Sequence, residues 1–67
     1  MKKFVIYSVS FPLHNCSLYV TTKENYDSRI KDARKIYKMD GFSTVQEIID
    51  YWQKYFGVQP EDFIIAL

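Results

Sequence analysis

Residues 4–22, FVIYSVSFPLHNCSLYVTT, hold two alternating segments on either side of a short break. In the first, Val5, Tyr7, Val9 and Phe11 form a wholly apolar face, while Phe4, Ile6, Ser8 and Ser10 form a mixed one. That period of two is the pattern of a strand. In the second, Cys16, Leu18 and Val20 alternate with Ser17, Tyr19 and Thr21. Pro12-Leu13-His14-Asn15 between them suits a four-residue hairpin loop. Such a loop pairs Phe11 with Cys16, Val9 with Leu18, Tyr7 with Val20 and Val5 with Thr22. The two apolar faces then coincide, and a slip of one residue would part them.

Downstream the period lengthens. Tyr26, Ile30, Ala33 and Tyr37 fall at i, i+4, i+7 and i+11 with Ile36 beside them, which predicts a helix over 26–38. Asn25 or Asp27 would cap it, and Asp40-Gly41 would stop it. Lys31, Arg34, Lys35 and Lys38 occupy another face, three of them near the end where the helix dipole favours cations. A second helix is marked by a capping box, Ser43 to Gln46 or Thr44 to Glu47. Its stripe is Val45, Ile48, Ile49, Trp52 and Phe56, and Gly57 ends it with Val58 folding back. Gln59-Pro60-Glu61-Asp62 reads as a turn and Phe63 to Leu67 as a short buried strand. The expected architecture is α+β, in the order β-β-α-α-β, as one domain over residues 1–67. A three-stranded sheet of order 2-1-3 would carry an antiparallel helix pair on one face. Placing the third strand beside the second is the alternative.

Composition sets the outer bounds. A chain of 67 residues has room for one core. Its 18% aromatic and 48% apolar content belongs to a folding chain, not a disordered one. Nine basic and eight acidic side chains leave +1, which argues against a strongly cationic nucleic-acid binder and an acidic DNA mimic alike. A single cysteine forms no internal disulfide. Met1-Lys2-Lys3 before an apolar run has the outline of a signal peptide. Tyr7, Ser8, Ser10 and Pro12 interrupt that run, however, and Leu13-His14-Asn15 lacks the small residues of a cleavage site. No segment approaches the length of a membrane span. A soluble, cytoplasmic protein is expected.

Chemistry is sparse. His14 and Cys16 point the same way in an extended segment, but no orienting group or oxyanion hole accompanies them. Two such ligands also fall short of the four of a structural zinc site. Glu61-Asp62 sits in a turn, and Glu47 and Asp50 share a polar helix face with Gln46 and Gln53. Gly41 and Gly57 are both accounted for as helix stops, so no phosphate-binding loop remains. The expectation is no enzyme, no cofactor and no metal.

Surfaces offer more. With two helices on one sheet face, the other would expose Phe4, Ile6 and Tyr19, together with Phe63 and Ile65 or Ile64 and Ala66. That is a patch large enough to mark an interface, and a homodimer through it is expected. Tyr51 and Tyr55, flanking the second helix's stripe, would extend a further aromatic surface. The basic residues Lys31, Arg34, Lys35 and Lys38 form an alternative face for nucleic acid, against which stands an ordinary solvated face with Asp27 and Asp32 as neighbours. The edge of the second strand could also accept a partner strand.

Lysine outnumbers arginine seven to two, and residues with AT-rich codons dominate. In size and composition the chain resembles small accessory proteins of phages and mobile elements, of the anti-CRISPR and other anti-defence inhibitor type. The resemblance carries no motif and assigns no residue. It implies a non-enzymatic module that binds a bacterial protein complex and blocks it sterically. A small nucleic-acid-binding accessory protein is the alternative.

Overall fold

Val5 and Ile6 are sequence neighbours, yet both are closed to solvent, at 1% and 0% exposure. Adjacent strand residues point to opposite faces, so this strand must be covered on both sides. The computed structural model, which describes residues 2–10 and 16–67, shows how. Strand β1 (Phe4–Ser10) pairs antiparallel with β2 (Cys16–Thr22) and parallel with β4 (Phe63–Ala66). A short strand β3 (Ile36–Lys38) adds antiparallel to the outer side of β2. The sheet is four-stranded, in the order β3-β2-β1-β4. Helix α1 (Lys23–Asp27) follows β2 directly, and α2 (Val45–Phe56) connects β3 to β4.

The α+β class stands, but the expected three-stranded sheet with two helices on one face does not. Trp52 of α2 packs on Phe4 and Phe63, so α2 covers the face that also holds Ile6 and Val20. Asn25 and Tyr26 of α1 meet Thr21 and Tyr7, which point the other way. The helices therefore lie on opposite faces. Ile48, fully buried in the core, contributes on the order of 1.5–3 kcal/mol through its apolar area.

The hairpin register also differs by one residue from the expected one. Ser10 faces Cys16, Ser8 faces Leu18 and Ile6 faces Val20. Leu18 and Val20 thus share a face with Phe4 and Ile6, and Tyr19 with Tyr7. Strand β1 carries large apolar residues on both faces, Val5, Tyr7 and Val9 on one and Phe4 and Ile6 on the other, so alternation alone does not choose between the registers. The aromatic side of α2, with Phe63 beside β1, makes the choice. The proposed partner Phe11 and the loop 12–15, with His14, lie outside the described residues.

The helix expected over 26–38 does not form. Helix α1 stops at Ser28, which is extended at φ −70° and ψ 145°. A 3₁₀ turn at Ala33–Lys35, capped by Asp32, then leads into β3. An isolated helix of this length is marginal in water and needs a tertiary face to hold it. Here that competition goes to Ile36 and Tyr37, a β-branched and an aromatic residue, which pair with Thr21 and Val20. Ile30 is left 89% exposed instead of buried.

The second helix keeps its sequence signals. Thr44 Oγ1 accepts the Glu47 N–H at 3.2 Å and donates to Glu47 Oε1 at 3.2 Å, so the N-cap is Thr44 and not Ser43. Gly57 adopts the left-handed conformation at φ 68°, and its N–H and that of Val58 close onto the carbonyls of Gln53 and Trp52.

Candidate functional site

The route from β3 to α2 leaves an open groove of about 910 Å³ between the sheet edge and the helix. The whole run Lys35 to Asp40 lines one side of it. A cavity resting on one sheet face would touch alternate residues only. The run takes in all of β3 and the residues that flank it, so the groove lies along this edge of the sheet. The opposite wall is aromatic, from Tyr51, Trp52 and Phe56 of α2.

Trp52 sits at the centre of this wall. Its ring lies 5.2 Å from Phe4, 5.4 Å from Tyr37, 5.0 Å from Phe56 and 6.1 Å from Phe63 between centroids. Tilted and edge-to-face pairs of this kind add about 0.5–1.5 kcal/mol each beyond area burial. The indole Nε1–H is buried among rings, without a hydrogen-bond acceptor among the described residues. Tyr51 continues the network to Phe42 at 5.2 Å and Tyr55 at 4.7 Å. On the solvent side, Tyr37 remains 50% and Phe56 60% exposed. Large apolar side chains concentrated at one open groove are what contact surfaces are made of.

The five residues expected at an interface divide. Ile6 is in the core under α2 and cannot meet a partner. Its assignment rested on both helices packing on the other face of the sheet, whereas α2 covers the face that holds Ile6, so that residue forms no exposed patch there. Phe4 is half-buried and lines the groove, as does Tyr51, while Tyr55 stands exposed beside Tyr51. Tyr19 faces the other side of the sheet, stacked on Tyr7 at 5.5 Å. Burial, with Tyr19 and Tyr26 nearby, raises the Tyr7 hydroxyl above its ordinary pKa.

The four basic residues divide as well, because the helix that would align them is absent. Lys31 Nζ lies 4.8 Å over the Tyr26 ring. Arg34 is turned back onto Asp32, with Nε to Oδ1 at 3.0 Å and Nη2 to Oδ2 at 3.1 Å. Those bonds and the Arg34 backbone N–H hold the Asp32 carboxyl below the usual range. Lys35 and Lys38 alone line the groove, with Asp40 at 3.7 Å from Lys38 Nζ. That exposed pair is worth no more than about 1 kcal/mol.

Sequence reasoning missed Tyr37, Trp52 and Phe56 as site residues by placing all three in helix stripes. The usable signal was the width of the second stripe: with Tyr51 and Tyr55 it exceeds what one sheet face can cover. Among the described residues no cluster of three or more His, Cys, Asp or Glu side chains is placed to hold a metal, and no helix is long and apolar enough to cross a membrane. Comparison with protein-family models, curated proteins and solved structures finds no match.

Proposed function

We propose that the protein is a non-enzymatic binding module that acts by occupying the surface of another protein. The observation that carries this reading is the aromatic groove beside β3, whose rim residues Tyr37 and Phe56 stay largely in contact with water. Leaving such area exposed forgoes roughly 25 cal/mol per Å², which a partner would recover. Given the resemblance in size and composition to anti-defence inhibitors, the partner is a bacterial protein complex and the action is steric. The nucleic-acid reading required Lys31, Arg34, Lys35 and Lys38 on one helical face, and two of the four are engaged elsewhere.

The test is capture from a bacterial lysate with the wild-type chain beside Tyr37→Asp and Phe56→Asp. Both rings are at least half exposed but pack on Trp52, so a thermal melt of each variant accompanies the capture to show that it folds. A protein retained by the wild type and lost with either variant supports the reading. No retained protein, or one that ignores both substitutions, ends it.

A further inference from the structure

Resting on that reading, we infer that the groove takes an extended acidic segment of its partner, added as a fifth strand along the outer edge of β3. The backbone pattern supplies the first part of the argument. Met39 N–H donates to Leu18 C=O at 2.9 Å, which fixes Leu18 and Met39 as a hydrogen-bonded pair. In an antiparallel ladder such pairs alternate, so Tyr37 and Val20 form the next one. The N–H and C=O of Ile36 and Lys38 therefore point away from β2. The Ile36 N–H is taken by the Ala33 carbonyl. What remains on the outer edge is the Ile36 C=O and the Lys38 N–H and C=O, in the spacing an added strand uses.

Charge supplies the second part. Lys35 and Lys38 stand at either end of this edge, where Asp40 is the one carboxylate in the groove lining and Asp32 lies close enough to Lys35 to feel its charge. Lys35 has no ion-pair partner among the described residues. Carboxylates on the side of the incoming strand away from α2 would meet Lys38, which shares that face with Tyr19, with Lys35 adding positive charge at the other end of the edge, while a basic strand would be repelled. The aromatic wall supplies the third. Side chains on the α2-facing side of the added strand would lie against Tyr37 and Phe56, so an acidic segment with apolar residues at alternate positions fits. An unfolded or edge segment of a protein has this chemistry; a nucleic acid offers phosphates but no strand to pair.

The probe is a capped heptapeptide alternating Glu with Val and carrying a central Trp, titrated onto the full chain and followed by NMR. Binding should protect the Lys38 amide from exchange and shift the Trp52 indole resonance. Exchanging Glu for Lys in the peptide should weaken binding by at least about tenfold, and the Lys35→Glu, Lys38→Glu double variant should reverse that preference. A peptide N-methylated at alternate amides should not bind. Equal binding of the methylated peptide, no binding at millimolar peptide, or displacement by a single-stranded oligonucleotide at the same resonances would overturn the inference. Its failure is separable from that of the broader reading. A lysate partner lost on Phe56→Asp but kept by the double lysine variant leaves the groove standing and removes the added strand.

Discussion

Asn25 holds both backbone groups of Asp32: its Oδ1 accepts the Asp32 N–H at 2.7 Å and its Nδ2 donates to the Asp32 carbonyl at 3.2 Å. The same Nδ2 donates to Thr21 Oγ1 at 2.9 Å, and Thr21 in turn donates to the Lys35 carbonyl at 2.9 Å. One buried amide thus folds the 28–35 segment back on itself and aims the chain into β3.

Removing that amide should cost more than any surface change in the molecule. Asn25→Ala strands the Asp32 N–H and breaks the link to Thr21, and each buried unsatisfied group costs about 1–3 kcal/mol. A loss of about 2–4 kcal/mol in urea unfolding is expected. Asn25→Asp can still accept from Asp32 but cannot donate while ionised, so its penalty should shrink as pH falls and the carboxyl protonates.

Asp32 gives a pH dependence of the opposite sign. Its folded-state pKa lies below the ordinary value because of Arg34. The stabilisation is therefore complete above the unfolded carboxylate range and is lost as pH falls through the folded value. Asp32→Asn keeps a capping oxygen but loses the ion pair. The stability gap between wild type and variant should be measurable at neutral pH and close on acidification; a gap that widens in acid would falsify this assignment.

Trp52 should respond unequally to two substitutions. Trp52→Ala empties the centre of the aromatic wall and should cost about 3–5 kcal/mol. Trp52→Phe keeps a ring and removes a buried donor that has no acceptor among the described residues. The gain from deleting that donor, about 1–3 kcal/mol, offsets most of the lost area. Thermal and urea melts of the pair should place Trp52→Phe within about 1.5 kcal/mol of wild type.

Ile30 discriminates between the expected helix and the observed bend. At 89% exposure, Ile30→Ser should change stability by less than about 0.5 kcal/mol. In a helix over 26–38 it would be a core position, and the same change would cost several-fold more.

The parts legible in the sequence are those set by local chemistry. The alternation of residues 4–10 and 16–22, the Thr44 and Gly57 caps and the Pro60 turn each follow from neighbouring residues, and each appears in the structure. The hairpin register was not legible, because it depends on Phe63 and Trp52 reaching β1 from elsewhere in the chain. The conversion of 26–38 was not legible either. It turns on a buried Asn25, whose side chain competes with the helix for Asp32's backbone, while Tyr26, Ile30, Ala33 and Tyr37 still display a helical spacing. The groove was hidden for the same reason, since Tyr37 and Trp52 meet only once that segment is a strand.

The pairing of Phe4 with Phe63 has a kinetic consequence. The β1–β2 hairpin can close early, but its central strand stays an open edge until a segment from the far side of α2 arrives to pair with it in parallel. Ordering that long intervening loop comes before any reward from the parallel contacts, which slows folding relative to a helical chain of this size. Until then the backbone groups of β1 on that side have no strand to pair with. A β1 edge left unpaired while β4 is undocked is the kind of open strand edge at which chains associate.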